Sequence, residues 1–352
     1  MLICLSSGER PRYRQDVLRA IALPLRAQLQ FRYDKRYASP GVLQMINQGR
    51  IVGEEVLIAY ADQLRPESEG AVELVPVRLA TVTSATAPGS TLSLIFSLGR
   101  VVHAADLTTF NNEITGLSGG ALPKWTNGKL TGLYCNELNS RPASIVEIED
   151  LGGWELVVTQ LSQHEDFESE ETFFTVVGLL TQAKLSEITA KLRHIEWPDA
   201  LPANEDHELV IYHYHSSKSP SEYVMSASAG DHLKFESSPK LRLDSRYDLK
   251  KLRIRTEDPT FRSKRTWITL SANTKSMTGT LELDMEVTVK ANYLKRIGTI
   301  AAIAIMLTVV QIVTLVTRGD LSIGGKVASA LAILVASIIV AVAAVWGIRR
   351  SI

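Results

Sequence analysis

Residues 297–317 (IGTIAAIAIMLTVVQIVTLVT) and 327–348 (VASALAILVASIIVAVAAVWGI) run for 21 and 22 positions without a charged side chain. A bilayer core takes about 20 apolar residues in a helix. Helices that pack on a protein core rarely stay apolar on every side for that length. The expectation is a two-helix transmembrane hairpin, 297–317 and 327–348, joined by a short external loop, 318–326. Lys290, Lys295 and Arg296 precede the first run and Arg349 and Arg350 follow the second, while the loop holds only Arg318 and Lys326. Positive residues gather on the cytoplasmic side, so both termini are expected in the cytoplasm of a multi-pass inner-membrane protein. The opening MLICLSSGERPRYRQ has too short an apolar stretch for a signal peptide.

The neutral total, 38 basic against 38 acidic residues, hides a segregation. Residues 291–352 hold six basic residues and one acid, which leaves 32 basic and 37 acidic residues in 1–290. That balance excludes a generally basic nucleic-acid binder. Two cysteines, Cys4 and Cys135, are too few for a disulfide framework and fit a reducing compartment.

Strand signals dominate 1–290, and the fold class expected is α+β. It comprises an α+β domain over 1–161, a connecting region over 162–206 and a β-sandwich-like domain over 207–290, followed by the hairpin. Helical spacing covers 13–30, with Pro24 placed to kink or split it, and Ser39-Pro40 caps a short helix. β-rich runs are read at 51–60, 72–82, 91–102, 129–135 and 154–161. The acid-rich 162–172 reads as a linker, 173–180 as a strand and 183–195 as an amphipathic helix. About seven short strands follow to Lys290, the last alternating Leu281, Leu283, Met285, Val287 and Val289 with polar residues. Only 291–296 separate it from the first apolar run, a reach of about 20 Å, so movement of the β domain would be transmitted to the hairpin.

Several motifs bear on chemistry. Gly116-Leu117-Ser118-Gly119-Gly120-Ala121-Leu122 is similar to the nucleophile segment of trypsin-like proteases, but Leu117 and Ala121 depart from it. The one upstream histidine, His103, is too near in sequence for a triad base. A glycine-rich turn between strands accounts for it better. Residues 319–326 (GDLSIGGK) only half match a phosphate-binding loop. His213 and His215, with His207 in the same parity, share a strand face, and an exposed pair is expected rather than a metal site, which needs more ligands. No catalytic constellation, metal or cofactor is expected.

The charge pattern carries more. From Lys240 to Arg265 there are ten basic residues and four acids, with Tyr247, Phe261 and Trp267 interleaved or adjoining. Basic residues with aromatics suit phosphate contacts and base stacking, anionic headgroups or a solvated face. The ligand-binding candidates are Arg253, Arg255, Arg262, Arg265 and Trp267, with Arg32 and Lys35 from the smaller cluster 31–37. In the apolar runs Thr308, Gln311 and Thr314 share one helix side, and Ala328, Ala332 and Ala336 recur every four residues. These are candidates for pore lining or helix packing.

This organisation resembles membrane effectors of bacterial antiphage systems that respond to nucleotide signals, of the CBASS or Hailong channel type. The resemblance covers the layout and no individual residue. It implies a sensor whose hairpins assemble in the lipid bilayer into a homo-oligomeric, ligand-gated pore opened by a nucleotide or oligonucleotide. A membrane-recruited scaffold that docks a cytoplasmic partner protein, without conductance, is the alternative, and a membrane-bound hydrolase the third.

Overall fold

The computed structural model describes residues 1–8, 10–62, 72–126, 129–168, 172–181, 195–215, 223–243, 247–259, 262–273 and 280–292, with 305–311, 313–314, 317, 322, 327 and 333 beyond them. In chain order the first elements are β1 (Leu2–Ser7), α1 (Pro11–Ala22), β2 (Gln28–Asp34), α2 (Pro40–Asn47), β3 (Glu55–Asp62), β4 (Glu73–Thr86) and β5 (Thr91–Ala104). Next come α3 (Leu107–Leu117), β6 (Lys124–Thr126), β7 (Lys129–Thr131), β8 (Cys135–Glu137), β9 (Ile145–Glu147), α4 (Leu151–Leu161) and α5 (Glu165–Glu168). The β-rich remainder is β10 (Thr172–Thr181), β11 (Ala200–Leu201), β12 (Asp206–His215), β13 (Tyr223–Ala229), β14 (Leu233–Phe235), β15 (Lys240–Leu243), β16 (Tyr247–Thr256), β17 (Lys264–Asn273) and β18 (Thr280–Val289).

The chain forms two compact units. The first takes 1–199, 205–255 and 266–287, and the second takes 200–204, 256–265 and the described residues from 288 onward. A seven-stranded sheet organises the start of the first unit, in the order β2-β5-β4-β3-β1-β8, with β9 on β5. β1 and β3 run parallel, Leu2 beside Val56 through Ser7 beside Ala61. Every residue of β1 is buried, as an inner strand covered on both faces requires. Edge strand β2 alternates instead: Leu29, Phe31 and Tyr33 point inward and Gln30, Arg32 and Asp34 outward.

Helix α1 begins at Pro11, whose fixed φ suits a first helical position. It buries Val17, Leu18, Ile21 and their neighbours. It ends at Ala22, so Pro24 cuts the helical run rather than kinking a continuous helix, because the residue before a proline is driven out of the helical region. Buried Arg78 of β4 fastens this end by donating to the carbonyls of Ala20, Leu23 and Gly99 at 2.7, 2.5 and 2.8 Å.

Also in the first unit, β10, β12, β16 and β14 form a four-stranded sheet, and β18, β17, β13 and β15 lie side by side in another. β10 pairs with β12 from Thr172–His215 to Thr181–His207. In the second unit, Ala200 and Leu201 pair in parallel with Thr288 and Val289. There the Thr256 hydroxyl donates to the Pro202 carbonyl at 2.7 Å.

Three expectations are corrected. The run 154–161 is helical, not a strand. Asp150 caps α4 by accepting from the Gly153 N–H at 2.7 Å, and Trp154, Val157, Val158 and Leu161 bury one helical face. Their spacing of three and four is helical; the β-branched valines disguised it. His207, His213 and His215 are buried rather than exposed. β12 is an inner strand, paired with β10 and β16, and its residues from His207 to His213 are all buried.

The third correction is the transmembrane hairpin. Among the described residues, no helix is long and apolar enough to cross a membrane. The runs 297–317 and 327–348 lie largely outside the described residues, and the longest described helical stretch there is 305–311. The α+β fold with an appended hairpin, the multi-pass inner-membrane location and the membrane-channel role are withdrawn on that finding. Of the polar trio, Thr308 is buried, while Gln311 and Thr314 are exposed. The Thr314 hydroxyl donates to the Val310 carbonyl at 2.7 Å. Ala328, Ala332 and Ala336 lie outside the described residues.

Candidate functional site: an arginine–tyrosine cavity

At the C-terminal end of β1, the chain passes through Ser6-Ser7-Gly8 toward α1. Gly8 lets the Asp166 carboxylate approach, and a Cβ there would displace that side chain. Strand carboxyl ends beside a helix start are where α/β sheets open crevices for ligands. A cavity of about 400 Å³ lies here, walled by the end of β1, the start of α1, β2 with the turn after it, Ser90 and Thr91, and Tyr134. The size suits a small organic ligand.

Four arginines line it: Arg10, Arg12, Arg32 and Arg36. Among the described residues, no carboxylate lies within ion-pair distance of Arg10, Arg12 or Arg32. Arg32 donates to the Gln30 side-chain oxygen at 3.2 Å. Arg36 is held over the Tyr37 ring at 4.7 Å from its centroid and reaches Asp34 at 3.6 Å. The start of α1 adds to the positive field. Its N-cap, Arg10, makes no side-chain cap, and the first turn holds no acid. Uncapped N–H groups at a helix start favour anions.

Tyr13, Tyr33, Tyr37 and Tyr134 supply the aromatic wall. The Tyr37 and Tyr134 rings meet edge to face at 5.3 Å. The Tyr33 hydroxyl donates to the Leu5 carbonyl at 3.1 Å. Burial holds Tyr33 well above the usual tyrosine range, with the neighbouring Cys4 and Cys135 thiols adding to it. Those two cysteines are free thiols whose sulfurs lie 3.5 Å apart on the paired strands β1 and β8. The Cys135 thiol is pushed up by its hydrogen bond with Cys4 and by burial.

Asp16 also lines the cavity. Burial pushes its carboxyl up to about 6, against the pull of Arg19 and Arg12. Below that pH the cavity loses a negative charge. The arrangement offers guanidinium forks for phosphate or carboxylate oxygens and tyrosine faces for a flat ring.

The structure brings Arg32 into this wall. Lys35 opens the turn Lys35–Tyr37, its backbone N–H on the Ser90 carbonyl. The larger basic segment is divided. Arg253 and Arg255 belong to the first unit, Arg262 and Arg265 to the second. On β16, Arg253 reaches Glu208 at 3.9 Å, and Arg255 reaches Asp206 at 4.0 Å and Glu236 at 3.5 Å. Trp267 is on β17, 56 % exposed. The sequence reading missed Arg10, Arg12, Tyr13 and Tyr134. The signal for the first three was a small-residue turn between a strand and a helix that starts with arginines.

The protease-like segment is the end of α3 and not a turn between strands. Gly119 and Gly120 take positive φ, and the Gly120 N–H closes on the Thr115 carbonyl at 3.0 Å. That is a glycine-terminated helix. The loop 319–326 lies outside the described residues except Ser322.

No family model matches the chain, of an enzyme or otherwise, and no curated protein does. Solved structures align only loosely. The Csu pilus chaperone–tip adhesion subunit complex of Acinetobacter baumannii aligns at 9% identity and a TM-score of 0.21, over 27% of this chain and 53% of that one. This chain thus spans about half the length of that match. The CooA pilin subunit of enterotoxigenic Escherichia coli aligns at 12% identity and a TM-score of 0.22, over 33% and 99%. The alpha-2-macroglobulin of Escherichia coli aligns at 10% identity and a TM-score of 0.25, over 65% and 10%.

Proposed function

We propose that this protein is a sensor that binds a phosphorylated, nucleotide-sized ligand in the arginine–tyrosine cavity. The observation that carries the reading is the set of four arginines around about 400 Å³, three of them without a carboxylate partner among the described residues. Surface arginines usually find acids or spread apart. Held together beside an uncapped helix start, they repel one another, and a polyanion relieves that repulsion. The tyrosines give a base or other flat ring a surface to rest on. The reading keeps the nucleotide-sensing half of the resemblance drawn from the layout. It rests on binding alone and involves no chemical step.

Fluorescence polarisation of the full chain with labelled cyclic mononucleotides, cyclic dinucleotides and nucleoside triphosphates tests it, with inorganic phosphate as competitor. At least one nucleotide class is expected to bind, with affinity falling as salt rises. Arg12→Ala and Arg32→Ala remove exposed side chains and leave the core alone. Each should weaken binding about tenfold or more, the worth of one charge-assisted hydrogen bond. Absence of binding by all three classes at low salt, or affinity indifferent to both substitutions, overturns the reading.

A further inference from the structure

A second cluster lies apart from the residues that line the cavity. Asp62 ends β3, Glu73 opens β4, and the two are directly paired across the strands. His164 sits in the turn between α4 and α5. One ligand atom from each of Asp62, Glu73 and His164 lies within 4.8 Å of the other two. The side chains of Asp62 and His164 are only 8% and 7% exposed, and His164 Nδ1 is 2.7 Å from Asp62 Oδ2. The site is rigidly backed. The Tyr60 hydroxyl lies between Asp62 Oδ1, at 3.3 Å, and Asp166, to which it also hydrogen-bonds. The Tyr60 ring meets the His164 ring edge to face at 5.8 Å.

The charges here do not balance. Asp166 has Arg14 at 3.5 Å. Among the described residues, no lysine or arginine stands within ion-pair distance of Asp62 or Glu73. Two carboxylates brought close together, one of them buried, repel each other, and among the described residues His164 is the one basic group at ion-pair distance of either. A divalent cation would neutralise both and accept an imidazole nitrogen as third ligand.

We propose that Asp62, Glu73 and His164 bind one divalent first-row transition cation. The donor set decides the class. One imidazole and two carboxylates suit zinc, manganese or iron(II), whereas magnesium and calcium prefer oxygen alone, and a thiol-seeking ion would need cysteine. Ligand bonds to such ions are about 2.0–2.2 Å, which sets neighbouring donor atoms roughly 3.0–3.5 Å apart, so His164 Nδ1 and Asp62 Oδ2, now 2.7 Å apart, part slightly to admit the ion. The ion replaces the direct Asp62–His164 hydrogen bond and ties the ends of β3 and β4 to the α4–α5 turn. Three protein ligands leave a coordination position open to water.

The test uses the full chain, stripped with chelator and then dialysed against Zn²⁺, Mn²⁺ or Mg²⁺ alone, with bound metal measured by mass spectrometry and titration calorimetry. One equivalent of Zn²⁺ or Mn²⁺ is expected, with Mg²⁺ far weaker. His164→Gln and Glu73→Gln should each lower affinity by more than the about 10–100-fold that loss of an outer-shell partner costs. His232→Gln, on another loop, should change nothing. If His164→Gln fails to fold, Glu73→Gln still decides, because Glu73 is half-buried and leaves the Asp62–His164 bond intact. Absence of stoichiometric binding by the wild type, Mg²⁺ bound as tightly as Zn²⁺ and Mn²⁺, or affinity unchanged in Glu73→Gln overturns the proposal.

Discussion

Asp16 makes the cavity responsive to pH, and Asp16→Asn tests how. The carboxyl rises from its usual 3.8 to about 6 because burial outweighs Arg19 and Arg12. A raised value in the folded state means that the fold holds the proton more tightly than the unfolded chain does. The stability linked to this proton is complete below about pH 4 and is lost as pH rises through about 6. At about 1.36 kcal/mol per pH unit, the gap corresponds to about 3 kcal/mol, roughly half of it between pH 5 and 7.5. Asparagine imitates the protonated acid and never ionises. Denaturant unfolding at pH 5 and pH 7.5 should therefore show the variant gaining about 1.5 kcal/mol on the wild type between the two. Comparing the two proteins at each pH cancels the other titrating groups, including His103 and His207, which burial lowers. A wild type more stable than the variant at pH 7.5 would refute the reasoning, since the attraction of Arg19 and Arg12 would then outweigh burial. The same substitution should tighten binding of a cyclic mononucleotide at pH 7.5, because the phosphodiester keeps its charge while the cavity loses a competing one.

Two further substitutions probe the frame that holds the cavity. Burial pushes Arg78 down only to about 9, so it stays charged at neutral pH. Arg78→Met strands three buried carbonyls and should cost about 3–5 kcal/mol, read as a drop of roughly 10 °C in Tm. Arg78→Lys should recover little, because one ammonium lacks the fork that reaches all three. Asp150→Ala removes the cap of α4 and should cost about 1 kcal/mol in denaturant unfolding, with nucleotide affinity unchanged.

What the sequence made legible was local. The alternation in β18 and the Ser39-Pro40 cap each need only a few neighbouring residues, and both are present. The helix α4 was hidden because its buried residues are valine, leucine and tryptophan. Those side chains also favour strands, so composition masked a spacing of three and four. The buried histidines of β12 were missed for another reason. Parity along a strand tells which residues share a face, but not whether that face is covered. That depends on which strands flank it, and β10 joins β12 from a segment read as part of the linker region.

The binding site was the least legible because linear density and spatial density of charge are different quantities. The ten basic residues from Lys240 to Arg265 are the densest in the sequence. The chain there turns through β15, β16 and the start of β17, which sends consecutive arginines to different places. Those on β16 lie opposite the acids of β12, Asp206 across from Arg255 and Glu208 across from Arg253. Antiparallel pairing thus neutralises a cluster that looks unopposed in sequence. The cavity is built the other way. Arg10 and Arg12 come from a helix start, and Arg32 and Arg36 from an edge strand and its turn, separated by some twenty residues that include the rest of α1. The cluster 31–37 stands out only weakly in the sequence, and the residues around Arg10 and Arg12 not at all. They meet because α1 packs on the sheet beside β1 and β2 closes the same end. What marks the site is therefore not the number of arginines but the scarcity of acids facing them, a property of the fold. Of the two acids that line it, Asp34 is engaged by Arg36, and Asp16 is buried enough to give up its charge near pH 6.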